Sequence, residues 1–246
     1  MNRIDREKEY HNKIWDNNAR NVTDKFYSIT KPSHQYYIDH ISEFKTGKSI
    51  LEYGCGPGSS AIFLAKNGAN VTGIDISETA IAAANEQVKN SGIDINFRVM
   101  NAECLDFENN SFDLVCGTGI LHHLNYENAY AEIARVLSPN GLAIFLEPLG
   151  HNPLINLYRN RTPHLRTPDE HPLLINDIEF AKTYFKSINV QYFHLTSLLS
   201  VPFRNNKNFN KIVSFFTKID TQLIGFLPYL GRYAWTVAMK MSLPIK

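Results

Sequence analysis

Apolar positions recur at helical spacing in two stretches near the start of the chain. Tyr10, Ile14 and Trp15 form one set, and Tyr36, Ile38, Ile41 and Phe44 form another. Residues 1–47 therefore read as an amphipathic helical cover, punctuated by Gly47. From Lys48 the period changes to short apolar runs that alternate with helical stretches. Strands are predicted at 49–53, 70–76, 95–100, 112–116 and 142–147. Helices are predicted at 60–66, 77–90 and 125–137. Gly68 and Gly92 sit where two of them should stop, and Ser77 is placed as an N-cap. The run Ser138-Pro139-Asn140-Gly141 breaks the third helix. The alternation lapses at Pro148. Five prolines and no clear period mark 148–175, and a long irregular segment inside a domain is usually functional. It resumes with a helix at 176–185, a strand at 190–195, a helix at 207–225 and a strand at 233–241.

Strands alternating with helices imply βαβ units and an α/β fold: a doubly wound, mostly parallel sheet of seven strands. A length of 246 residues fits a single domain. Its expected parts are the cover (1–47), a core (48–147), a lid (148–175) and the remainder of the sheet (176–246).

Composition narrows the function. Apolar residues make up 43% of the chain, enough to bury a core. The net charge of +1 argues against a dedicated duplex-binding protein, so no DNA partner is expected. The sum hides an asymmetry, since residues 203–246 carry +6 and the rest −5. That polarity suits an anionic small molecule, a membrane surface or contacts between copies of the chain, so a homo-oligomer stays open. No apolar run approaches the roughly 18 residues of a membrane span, and the charged start has no signal-peptide pattern. A cytoplasmic location is expected. Cys55, Cys104 and Cys116 form no CxxC pair, which suggests reduced thiols and no zinc set; no metal is expected.

The most informative stretch is Leu51-Glu52-Tyr53-Gly54-Cys55-Gly56-Pro57-Gly58, a strand running into a GxGxG turn and then a helix. Glycine belongs where φ is positive or a ligand must approach the backbone. The dinucleotide fingerprint fits poorly, because the third glycine comes one residue early and Pro57 lies inside the turn. No Gly-Lys-Ser/Thr follows, so a P-loop fits worse.

These residues resemble the class I S-adenosylmethionine-dependent methyltransferases, in the branch of ubiquinone-biosynthesis-like and other small-molecule enzymes. Their acidic-x-Gly-x-Gly-x-Gly pattern is matched by Glu52, Gly54, Gly56 and Gly58, with Cys55 in the turn. The resemblance is strong over 49–148. It implies S-adenosyl-L-methionine as cofactor and Asp75, at the end of the second strand, as the acceptor of ribose hydroxyls. It places Ile76 on an adenine face. Asn101 stands where the family usually has Asp, and its carbonyl can still accept from the adenine amino group. The Ala102 N–H would reach a ring nitrogen, and Gly117 would lie beside the methionine part. The run Leu121-His122-His123-Leu124 and the segment 135–141 match the family as well.

The implied chemistry is methyl transfer to a small polar acceptor, most readily on oxygen. Candidate acceptors are a polar metabolite, a glycan or phosphate-like precursor, or a natural-product intermediate. A neutral hydroxyl needs a base, and histidine is the usual one. His122 and His151 are the candidates, because each follows a strand at the edge where α/β sheets bind ligands. His123 is a candidate for holding substrate; a structural hydrogen bond is the alternative for both His122 and His123. Arg159, Arg161 and Arg166, with His171 nearby, suggest a lid that binds an anionic group. The alternative is that these arginines pair with Asp169 and Glu170. Tyr10, His11 or Trp15 would close over the ligands, or Tyr10 and Trp15 simply pack in the core. Competing readings are N- or C-methylation of a natural product or quinone-type metabolite, RNA methylation, and cofactor binding without catalysis.

Overall fold

A computed structural model describes residues 1–17 and 24–246. At its centre is β1 (Ser49–Tyr53), the five-residue run Ser-Ile-Leu-Glu-Tyr, with Ile50, Leu51 and Tyr53 fully buried. Parallel neighbours flank it on both sides: β2 (Asn70–Asp75) and β4 (Phe112–Thr118). With β3 (Asn96–Val99), β5 (Leu137–Pro148), β6 (Phe185–Phe193) and β7 (Thr236–Pro244) the sheet has seven strands, in the order β3-β2-β1-β4-β5-β7-β6. Only β7 is reversed; it pairs antiparallel with β5 and β6. The strand order switches direction between β1 and β4, and the crevice at such a switch point is where open α/β sheets bind ligands.

The period-2 alternation along each strand feeds two apolar layers. Leu51, Tyr53, Val115 and Phe145 face α6 (Tyr126–Val136), which contributes Tyr130, Ile133 and Ala134. Their neighbours Ile50, Leu114, Cys116 and Ile144 point the other way. There they meet Tyr37 and Ile41 of α3 (Lys31–Ile41) and Ala61 and Leu64 of α4 (Ser59–Lys66). Helix α5 (Glu78–Val88) starts as expected at Ser77, whose hydroxyl accepts from Ala80 N–H. Helix α1 (Arg3–Asn17) and the short α2 (Asp24–Tyr27) precede α3.

The structure departs from the periodicity in three places. Strand β5 starts at Leu137, and the Ser138–Gly141 run is absorbed as a bulge: Phe112 pairs with Leu137 and Leu114 with Leu142. Strand β6 starts at Phe185, five residues early, because an edge strand with exposed Lys186, Ser187 and Asn189 hides its alternation. The stretch 148–175 is not structureless. It contains α7 (Pro153–Arg161) and a 3-10 turn at Pro163–Leu165. Beyond it come α8 (Ile175–Phe180), extended by a 3-10 turn, and α9 (Phe209–Phe226).

Helix α7 has a local cause. Asn152 caps it by accepting from Leu154 and Ile155 N–H, and Pro153 occupies the first turn, where no N–H is needed. The Asn152 amide also donates to Tyr233 O at 2.6 Å, and the residue is buried. Asn152→Ala is expected to destabilise the protein by about 1–2 kcal/mol, read as a lower denaturant midpoint at unchanged m-value.

Candidate active site

The turn after β1 is built from left-handed glycines. Gly54, Gly56 and Gly58 have φ of 70°, 52° and 87°, so every second residue of the turn takes a conformation that disfavours side chains. Gly58 is also the N-cap of α4, and a Cβ there would lie 2.7 Å from the Phe97 ring. Beneath the turn, buried Glu52 accepts from Ala61 N–H at 2.7 Å. Burial pushes its carboxyl up to about 7, against the pull of the Ala61 and Ser60 donors. Asp75 accepts from Gly56 N–H at 2.9 Å with one oxygen and from Ser77 N–H at 2.8 Å with the other. Each oxygen keeps a lone pair.

Above this turn lies a cleft of about 690 Å³, counted with its open mouth. Gly54, Gly56, Asp75, Ile76, Asn101 and Ala102 line it. Glu52, Cys55, Gly58 and Gly117, also expected at the cofactor, are not among the residues that line it. A Cβ on Gly117 would lie 2.6 Å from Tyr53 O, so Gly117 shapes the wall by close packing. The Tyr53 hydroxyl donates to Ala102 O. Asn101 uses its carbonyl oxygen to accept from Glu103 N–H at 3.0 Å. The donor set suits a nucleoside: a carboxylate with spare lone pairs, apolar Ile76 and Met100 beside it, and exposed backbone at the glycines.

A second, larger space of about 2070 Å³, counted with its open mouth, adjoins the first. His11, Thr118, Gly119 and His123 border both. His122 and Glu147 form its floor. Glu147 is 1% exposed and accepts three donors: Ile120 N–H and Leu121 N–H at 2.9 Å each, and the His122 ring at Nδ1 at 2.8 Å. Burial pushes its carboxyl up to about 7, opposed by the two backbone donors. Burial, reinforced by neighbouring His123, holds His122 well below the ordinary histidine range, so its ring is neutral. A neutral ring that gives its Nδ1 proton to Glu147 keeps the Nε2 lone pair.

Helix α1 roofs both spaces. Arg3 pairs with Glu103, Arg6 with Asp169 at 2.7 Å, and Asn12 accepts from the Ser77 hydroxyl at 2.7 Å. Glu7 is buried, yet its carboxyl lies below the usual range: desolvation is outweighed by His11, His123 and Thr167. The Thr167 hydroxyl donates to it at 2.5 Å.

The structure scatters the remaining candidates. Tyr10, His11, Arg159 and Arg166 line the second space. Arg159 pairs with Glu170 at 2.5 Å, and Arg166 donates to Arg159 O and Thr162 O. Arg161 and His171 are exposed. The His171 ring lies edge-on to Tyr126, with Nδ1 2.9 Å from Asp169 O. His151 stands outside both spaces and accepts from Ile175 N–H at 3.1 Å. The Trp15 side chain lies outside the described residues. Glu7 and Glu147 were not among the candidates. The signal for Glu147 was an acid closing the apolar run 142–146; nothing local marks Glu7.

Residues 50–141 match the sequence profile of a family described as a methyltransferase domain. Over that stretch the chain carries a methyltransferase domain. It is 39% identical over 107 residues to an uncharacterized protein of Haemophilus influenzae, covering 41% of this chain and 43% of that one. It is 30% identical over 118 residues to a ubiquinone biosynthesis O-methyltransferase of Coxiella burnetii, covering 48% and 50%. The chain thus spans half or less of the length of these curated relatives. The structure of Haemonchus contortus phosphoethanolamine N-methyltransferase 2 with S-adenosyl-L-methionine superposes with a TM-score of 0.64 at 20% identity. That match covers 96% of this chain and 60% of the other and shows a shared fold.

In this methyltransferase domain Glu52 carries a stability signature. Its folded pKa is raised, so its contribution is full below about pH 4.5 and is lost as pH rises toward 7. The stability of the wild type relative to Glu52→Gln should therefore fall over that window, by on the order of 3 kcal/mol, in chemical denaturation at pH 4.5, 6 and 8.

Proposed function

We propose that the chain transfers the cofactor's methyl group to a small polar acceptor in the second space, on oxygen, with His122 as the base. The supporting observation is the buried His122–Glu147 pair on the floor of that space, beside the cleft suited to the nucleoside. When bound, the cofactor supplies a methyl group already activated on a sulfonium. Asp75 would hold the ribose, and Ile76, Asn101 and Ala102 the adenine. Glu147 fixes the His122 tautomer, and His122 Nε2 would take the proton of the acceptor hydroxyl while its oxygen replaces sulfur on the methyl carbon, the carbon–sulfur bond breaking to leave a neutral thioether. Residues 148–175, with α1, act as the lid that excludes water and aligns the acceptor; alignment alone is worth several kcal/mol.

The acceptor carries an anionic group in this reading. Arg159 and Arg166 present two guanidinium groups to the second space against the one carboxylate of Glu170. Arg161 is exposed and takes no part.

His122→Ala should lower kcat roughly 100- to 10,000-fold with little change in cofactor affinity. Glu147 gains a proton as the pH falls through about 7 and then no longer holds the His122 Nδ1–H, so the wild-type rate should fall below about pH 7, although burial keeps the His122 ring itself neutral to lower pH. That acidic limb should be missing from the residual activity of His122→Ala. An unchanged limb, or an undiminished kcat, would remove His122 as base. Arg159→Ala and Arg166→Ala should raise the acceptor KM at constant cofactor KM; unchanged acceptor KM in both removes the anionic group.

A further inference from the structure

We infer that Glu7, His11 and His123 form a binding site for a divalent, zinc-type metal ion at the junction of the two spaces. The three side chains each turn one donor atom to a common point, all within 4.8 Å of one another. Glu7 Oε2 lies 3.1 Å from His123 Nδ1 and 3.4 Å from His11 Nε2. Ligands about 2.0–2.1 Å from a tetrahedral zinc stand roughly 3.3–3.4 Å apart, so these two separations match edges of one coordination tetrahedron.

A second observation points the same way. Glu7 Oε2 and His123 Nδ1 are buried without an aligned hydrogen bond among the described residues, although they face each other. Buried polar atoms are rarely left so. The other Glu7 oxygen is occupied by Thr167, which orients the carboxylate as an outer partner of a metal ligand would. The cation in the same cleft, Arg3, is neutralised by Glu103 and leaves the donors' field intact. An overlapping group, His122, His123 and Glu170, is a poorer set. Glu170 is already spent on Arg159, and His122 Nδ1 on Glu147.

Two imidazoles and one carboxylate supply three ligands and leave a fourth position open, the pattern of catalytic rather than structural zinc. All three residues line the first space, and His11 and His123 border the second as well. The open position takes a water or an oxygen of a bound ligand. The site goes against the sequence expectation of no metal. His11 and Glu7 share a face of α1 at i,i+4, but His123 joins them only through the fold.

The test is metal uptake, read without any methyl-transfer assay. Wild-type protein freed of metal by a chelator is titrated with Zn2+ in equilibrium dialysis and with Co2+ by visible absorption. One Zn2+ per chain is expected, with micromolar or tighter affinity, together with the intense visible bands of four-coordinate Co2+. His11→Ala and Glu7→Gln should each weaken binding at least tenfold and abolish those bands, whereas Glu9→Gln on the exposed side of the same helix should bind as the wild type does. No stoichiometric uptake, Co2+ spectra of six-coordinate type, or equal affinity in His11→Ala overturns the proposal. The wild-type Co2+ spectrum decides the case even if Glu7→Gln loses its fold.

Discussion

A buried or half-buried carboxylate beside each functional turn is the constraint on which the rest of the molecule depends. Glu52 at the end of β1 takes Ala61 N–H, Asp75 at the end of β2 takes Gly56 and Ser77 N–H, and Glu147 near the end of β5 takes Ile120 and Leu121 N–H. Backbone donors in these loops have no strand or helix partner, and an unpaired buried donor costs about 1–3 kcal/mol. A carboxylate at the strand end satisfies them and freezes the loop in one shape. The same device recurs away from the site. Asp220 of α9 is buried and accepts from Leu195, Thr196 and Ser197 N–H, fixing the chain after β6.

This arrangement explains which half of the site was legible in the sequence. The first cleft draws on short local signals. Three glycines alternate in one turn, and an acid closes the next strand, so Gly54, Gly56, Asp75, Ile76, Asn101 and Ala102 fall on one wall. The second space draws on α1, α3, α7 and the ends of β4 and β5, which only the fold brings together. No window of sequence contains both Glu7 and His123. Helix α7 was masked because prolines at 153 and 163 bound a short helix whose apolar residues Leu154 and Leu157 face outward. Its Asn-Pro start was the readable sign. The three arginines of 159–166 differ in ways their spacing does not show: Arg161 is exposed, and Arg159 and Arg166 share Glu170.

The uneven charge of the chain also takes a physical form. The one acid in residues 203–246 is Asp220, and its charge is consumed by donors inside the fold. The outward charge of that region is therefore wholly basic. Lys211, Phe215, Lys218, Gln222 and Phe226 follow one exposed stripe of α9, and Phe226 is 87% exposed. This basic face lies apart from the second space, whose lining arginines are Arg159 and Arg166. Arg159 comes from α7, and Arg166 follows the 3-10 turn after it.

Adjacent His122 and His123 show how one short element serves two layers. They lie in a 3-10 turn (Leu121–His123), where successive residues point about 120° apart. His122 therefore reaches Glu147 in the sheet, while His123 reaches Glu7 in the cover helix. Their rings stay in contact, with centroids 4.2 Å apart, so a charge on either is felt by the other. His123 thereby reinforces the burial that holds His122 below the ordinary histidine range. Docking of α1 thus places a buried carboxylate, Glu7, one imidazole ring away from the His122–Glu147 pair, and ties the cover helix to the sheet through these two adjacent histidines.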